Sequence, residues 1–390
     1  AILSSLVGSE MCIRDRVAEI KSRITGVVGV EKTAKNTDLV IEAVFEDFDV
    51  KTAVFQTLDS ACGEETILAS NTSSLSVNEL AEATGRPDRF VGLHFFYHPA
   101  KNRLVEVIPA TSTSQQTIDR VVQYCKMLGK VVIVCGDRPG FVVNRFFVPW
   151  LNEACLLLEE GHGTAAQIDA VARKAFRIGL GPFGLMNLTG PPIALHSTDY
   201  LAQQLATPRY TGATNLRELV SANNQWEIDE DESYSEEQFE QISRRLYGVV
   251  FGVATQIVDE GVCSIEDVDR GAKVGLRWAR GPFELMNRVG VLKSFEMAQD
   301  YLKLCQDESG KSNWQIPEFF AKQASNNQKW DFSYVDTEIS NGIATITINR
   351  PEAMNALNET VIHQLGIAVD AVNSNDEVHT MVLDLSLIHI

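Results

Sequence analysis

Ten residues, GPFGLMNLTG at 181–190, return one hundred positions later as GPFELMNRVG at 281–290, and the match extends backwards without a gap. Glu160–Gly161 corresponds to Glu260–Gly261, Asp169 to Asp269 and Arg145 to Arg245. Such a duplication constrains the fold more than any single motif, because duplicated helical units bury their apolar faces against each other. From Pro139–Gly140 onward the pattern is helical, with no convincing strand until about residue 334. The repeats are placed at about 140–200 and 240–302, within an all-α domain spanning 139–302.

Ahead of the duplication the grammar is α/β. DLVIEAV (38–44) is a continuous apolar run that suits a buried parallel strand, and a helical pattern follows it. Further strands are expected in TILAS (66–70), RFVGLHFF (89–96), LVEVIPA (104–110) and VVIVCGD (131–137), which defines a domain over 17–138. On the far side, residues 303–332 are rich in Asn, Gln, Ser and Lys and read as a linker, as does the acidic run at 228–238. A third domain opens at 333–384, where Asn341–Gly342 is a hairpin signal between two alternating strands.

The ends read differently. EMCIRDR near the start can be back-translated into the mosaic end of a transposase-based sequencing adapter, and the terminal LSLIHI into its reverse complement. Residues 1–16 and 385–390 are therefore expected to be translated adapter.

A net charge of -18 repels nucleic acid and anionic membrane surfaces, so neither is expected as a partner. No apolar run approaches the roughly 20 residues that span a bilayer. Lys101 and Arg103 are the candidate basic patch for an anionic substrate. Seven cysteines show no CxxC pair and no metal-ligand spacing, so reduced thiols in a cytoplasmic protein and no bound metal are expected.

Chemistry is expected from polar residues at the ends of strands, where α/β sheets place ligands. Ser73 follows the strand ILAS, His94 comes late in VGLHFF, Glu106 interrupts LVEVI, and Asn144 begins the first long helix. An imidazole suits removal of a hydroxyl proton, and a neighbouring carboxylate can fix its tautomer. Glu106 in an apolar strand needs a partner, because a buried carboxylate is costly alone.

EAVFEDFDVK, ILASNTSSL, GLHFF, LVEVI, DRPGFVVNR and GPFGLMN together resemble the ordered motifs of the 3-hydroxyacyl-CoA dehydrogenase family over about residues 17–300. The resemblance implies a truncated Rossmann-like NAD-binding domain followed by the duplicated helical domain, with NAD as cofactor and L-3-hydroxyacyl-CoA as substrate. It assigns the catalytic base to His94, its carboxylate partner to Glu106, substrate orientation to Ser73 and Asn144, and NAD contacts to Glu46, Lys51 and Ser73. The chain departs from the family in lacking the Gly-rich turn, so NAD is expected to bind poorly to it alone. Tyr97 also stands where the family often has Asn. In the second repeat Arg244 takes the place of Asn144 and no PGF precedes it, which leaves the first copy as the catalytic one.

GIATITINRPEAMNALNE resembles the opening of the crotonase family of enoyl-CoA hydratases, and implies that Ala353, Asn355 and Leu357 lie along CoA. The hydratase glutamates would come after residue 384, so this chain is expected to show neither activity although a longer parent has both. Dehydrogenase before hydratase is the order of archaeal and some bacterial fusions. A homodimer or a thiolase partner goes with the resemblance. The rival readings are a non-catalytic CoA or dinucleotide binder of crystallin type, and another two-domain Rossmann dehydrogenase such as a 6-phosphogluconate or UDP-sugar enzyme. The set His94, Glu106, Ser73 and Asn144 argues against the first, and NTSS paired with HFF against the second.

Overall fold

In the computed structural model, which describes residues 16–228, 232–306 and 310–385, five strands form one sheet in the order β1 to β5. β1 (Leu39–Glu42), β2 (Ile67–Ser70) and β3 (Phe90–Phe95) run parallel. β4 (Leu104–Pro109) and β5 (Val131–Val134) run parallel to each other but antiparallel to the first three. Helices α1 (Phe48–Ala61), α2 (Val77–Glu82) and α3 (Gln115–Met127) lie between them, capped by Asp47, Ser76 and Ser114, whose side chains each accept the amide three residues on. Both faces of the sheet are covered: Leu68, Phe90, Leu104 and Ile108 face one core, while Ala69, Val91, Val105 and Val107 face another. Burial on both sides is why these strands read as unbroken apolar runs.

The helical domain is two copies of one unit. In the first, α4 (Val143–Glu159) is followed by α5 (Ala165–Phe176), α6 (Pro182–Thr189), α7 (Pro191–Gln204) and α8 (Thr214–Ser221). In the second, α9 (Glu236–Asp259) is followed by α10 (Ile265–Arg270), α11 (Pro282–Val289), α12 (Val291–Leu304) and α13 (Glu318–Ser325), with a π-helical turn at Gly271–Gly275 after α10. The repeated residues do the same work in each copy. Asp169 accepts the amides of Phe183 and Gly184 at 2.8 and 2.9 Å, and Asp269 those of Phe283 and Glu284 at 2.7 and 2.9 Å. Each carboxyl thus takes up two free amides at the start of α6 or α11. A Cβ on Gly181 or Gly281 would overlap that carboxyl, which explains the invariant first residue of GPF within the repeat.

The copies also clasp each other across the long helices. Arg145 pairs with Glu260 at 2.5 Å, and its counterpart Arg245 pairs with Glu160 at 2.7 Å. Burial works against the charge on Glu160, but Arg245 and Arg209 outweigh it and hold its carboxyl down at about 2.

The described residues of 303–332 do not form a loose linker, which corrects the expectation from the segment's polar composition. Asn287 brackets Trp330 through both backbone groups, at 2.9 and 2.7 Å, as Asn187 brackets Trp226 at 2.9 Å twice. Phe283 meets Trp330 edge-on, as Phe183 meets Trp226. The second copy therefore runs to Trp330 and buries Trp314, Phe320 and Ala324 on the way. The sequence carries the signal, since NNQW at 223–226 returns as NNQKW at 326–330. Glu318, Lys322 and Ser325 form the exposed side of α13, and Asn326, Asn327, Gln328 and Lys329 an exposed turn beyond it.

In the third domain β6 (Val335–Ser340) and β7 (Ile343–Ile348) form the expected hairpin, with Asn341 and Gly342 both at positive φ. α14 (Glu359–Asn373) then crosses to β8 (Thr380–Leu385), parallel to β7. The stretches read as adapter lie outside the described residues, apart from Arg16 and Leu385. Among the described residues no helix is long and apolar enough to cross a membrane.

Candidate active site

The reversal of direction between β3 and β4 builds the centre of the site. Antiparallel register sets His94 directly opposite Glu106, and the His94 Nδ1 to Glu106 Oε2 distance is 2.7 Å. Glu106 is therefore not at a strand end, as expected from sequence, but third of six residues in an antiparallel strand. It is fully buried, and His94 is 5% exposed between the rings of Phe96 and Phe141.

The other Glu106 oxygen, Oε1, accepts the amides of Val142 and Val143 at 3.2 and 3.0 Å. These are the first amides of α4, so the carboxylate caps that helix and meets the positive end of its dipole. One side chain thus fixes the histidine ring and the start of the helical domain together. Asn144 is the next residue along α4. The turn before it needs glycine: Gly140 has φ +77, and a Cβ there would stand 2.9 Å from the Arg145 nitrogen.

A cleft of about 330 Å³ lies between the sheet domain and α7, lined by Glu46, Ser73 and Asn144 together with Pro192, His196 and Tyr200 among others. His94 is not in its lining, but stands beside it through the Glu106–Val143 link. Glu46 accepts the amides of Ser73 and Ser74 at 2.8 and 3.1 Å and so shapes the turn that carries Ser73. Burial opposes its charge, yet the Thr72 hydroxyl, Lys51 and the Ser73 amide hold its carboxyl below the ordinary range. Tyr200 donates to the Ser74 carbonyl and ties α7 to the same turn. Burial first, and then Asp137, Glu46 and Glu79, push its phenol up to about 12, which keeps it a donor.

Lys51 is placed differently from Glu46 and Ser73. It is fully buried beneath the cleft, bonded to Glu42 at 2.8 Å and to Glu46 at 3.2 Å. Glu42 also accepts from the Ser70 hydroxyl at 2.7 Å. Sequence reasoning missed Glu42, although the signal was the one that exposed Glu106: a carboxylate within an apolar strand. It also missed His196 and Tyr200, which belong to a helix with no motif of its own.

Tyr97 is 71% exposed, and Lys101 and Arg103 lie on the surface. Arg244, the counterpart of Asn144, is bound to Asp300 at 2.9 Å, so the second copy offers no comparable amide. Asn355 closes a turn by accepting the Arg350 amide at 2.7 Å, Ala353 ends a 3-10 turn, and Leu357 is 61% exposed. Among the described residues no group of His, Cys, Asp and Glu is placed to hold a metal ion.

The polar groups without a partner among the described residues decide what the site can hold: the Ser73 hydroxyl, the Asn144 side-chain amide and His94 Nε2. They suit the nicotinamide end of a dinucleotide and an oxygen-bearing substrate. A pyrophosphate cradle is not among them, since the described residues contain no Gly-rich turn.

Residues 2–138 match the family model of the 3-hydroxyacyl-CoA dehydrogenase NAD binding domain, and residues 140–235 and 242–329 that of its C-terminal domain. The chain belongs to the 3-hydroxyacyl-CoA dehydrogenase family. Residues 338–386 match the enoyl-CoA hydratase/isomerase family model. The 3-hydroxybutyryl-CoA dehydrogenase of Clostridioides difficile is 38% identical over 221 residues, 57% of this chain and 78% of the relative. The fatty acid oxidation complex subunit alpha of Shewanella putrefaciens is 30% identical over 318 residues, covering 74% of this chain but only 44% of that protein. The crystal structure of a 3-hydroxybutyryl-CoA dehydrogenase from Escherichia coli K12 superposes with a TM-score of 0.69 over 84% of this chain and 91% of that one. At 20% identity that likeness establishes the fold. In this 3-hydroxyacyl-CoA dehydrogenase chain the C-terminal match ends at residue 329, beside Trp330, in agreement with the extended second copy.

Proposed function

We propose that the site oxidises the secondary hydroxyl of an L-3-hydroxyacyl-CoA to the 3-oxo thioester. The observation that carries this reading is the shared use of Glu106, one oxygen on His94 and the other on the helix start that bears Asn144. His94 Nε2 takes the hydroxyl proton while Nδ1–H stays on Glu106, which stabilises the imidazolium that forms. NAD, when bound, supplies the hydride acceptor. Asn144 and Ser73 donate hydrogen bonds to the reacting oxygen or the thioester carbonyl, and Glu46 holds the Ser73 turn. Glu46 and Ser73 contact the cofactor from the cleft wall, and Lys51 acts from below by fixing Glu46.

The third domain belongs with this reading as the opening of an enoyl-CoA hydratase, with Ala353, Asn355 and Leu357 along CoA. Its product would be the substrate of the first site. A cytoplasmic enzyme, as a homodimer or with a thiolase partner, is the setting that the resemblance supports.

The test is Asn144→Ala in the intact protein that carries this chain, with NADH formation from 3-hydroxybutyryl-CoA as readout. Losing one donor to a developing oxyanion lowers kcat by roughly 10²-fold or more. Unchanged kcat with a raised KM would instead make Asn144 a ground-state contact only.

A further inference from the structure

A shallow cleft of about 660 Å³, wide open to solvent, lies at the seam between the two copies and shares no lining residue with the active-site cleft. Arg177 borders it from the end of α5, and Arg280 and Arg288 border it from either end of α11. Among the described residues none of these three guanidinium groups has a hydrogen-bond or carboxylate partner, whereas Arg145, Arg209, Arg244, Arg245 and Arg270 are all paired. The remaining polar groups in the lining are engaged. Glu284 is held by Lys273 at 2.8 Å, and the Asn287 amide brackets Trp330. Three uncompensated cations on one cleft repel each other, and they do so in a chain with net charge -18.

The duplication supplies an internal control. The residues that correspond to Arg280 and Arg288 in the first copy are Leu180 and Leu188, at 45% and 59% exposure. The helical unit therefore needs no cation at either position, and what the second copy has gained is a concentration of positive charge.

We propose that Arg177, Arg280 and Arg288 bind a phosphate-bearing anion, of the phosphomonoester or diphosphate type carried by nucleotides and by CoA. The planar guanidinium fork matches phosphate oxygens bidentately, and it stays charged at every working pH. The site is independent of the dehydrogenase reading, because it shares no residue with His94, Asn144 or Ser73.

Calorimetric titration of the chain with inorganic phosphate, adenosine 3′,5′-bisphosphate and CoA tests this. The variants are Arg280→Leu with Arg288→Leu, which copies the first repeat, and the exposed Arg177→Gln alone. A charge-assisted contact to phosphate accounts for about tenfold in affinity or somewhat more, so the double variant should weaken binding about a hundredfold and the single one about tenfold. Tighter binding of the bisphosphate and CoA than of phosphate would assign the nucleotide end of CoA. Equal binding of all three would assign a simple phosphate pocket. Absence of saturable binding by any probe, or affinities unchanged in both variants, would overturn the proposal.

Discussion

His94→Ala lowers turnover of a 3-hydroxyacyl-CoA by about 10² to 10⁴-fold in the intact protein, the range over which a positioned general base contributes. Substrate binding should change little, because the ring is spent on Glu106 and two aromatic neighbours rather than on holding acyl-CoA. Steady-state NADH formation separates the two effects, kcat falling and KM staying near its original value. Near-normal kcat would show that a different group takes the proton and that His94 is a packed core histidine.

Glu106→Ala should be the most destabilising single change in the site. It removes three hydrogen bonds at once, from His94 Nδ1 and from the amides of Val142 and Val143, at a fully buried position. Leaving a buried donor without its acceptor costs about 1 to 3 kcal/mol, so orphaning three of them should cost about 3 kcal/mol or more. Chemical denaturation would measure it, and a loss below about 1 kcal/mol would mean that the helix start finds other acceptors. Glu106→Gln should lose much less stability, since its amide oxygen can still accept from Val142 and Val143.

Much of this site was legible in the residues. Glu106 stood out because a carboxylate within an apolar strand must have a partner, and His94 and Asn144 because of the motifs around them. Their geometry was not legible. Nothing in the apolar runs of β3 and β4 tells antiparallel from parallel, since both strands are buried on both faces, and it is the reversal that places His94 opposite Glu106. Lys51 entered as a cofactor contact through the family resemblance, and its burial was not legible, because its partner Glu42 lies in the preceding strand. In the helical domain the GPF segments announced the duplication, while the end of the second copy was lost in the polar composition of α13's exposed side and of the exposed turn at 326–329 that follows it. The two bracketed tryptophans mark that end, and a search for NNQ followed by Trp would have found it.

The central claim is that Glu106 holds His94 with its proton on Nδ1 and leaves Nε2 bare to accept one. Nitrogen-15 NMR of the histidine ring measures this directly at neutral pH, in the chain as it stands and without cofactor. The account predicts a neutral His94 ring protonated at Nδ1 in the wild type. In Glu106→Gln, the side-chain amide that keeps its oxygen on α4 turns its NH₂ toward the ring, and the proton should move to Nε2. A wild-type ring already protonated at Nε2, or one whose tautomer does not respond to Glu106→Gln, would contradict it.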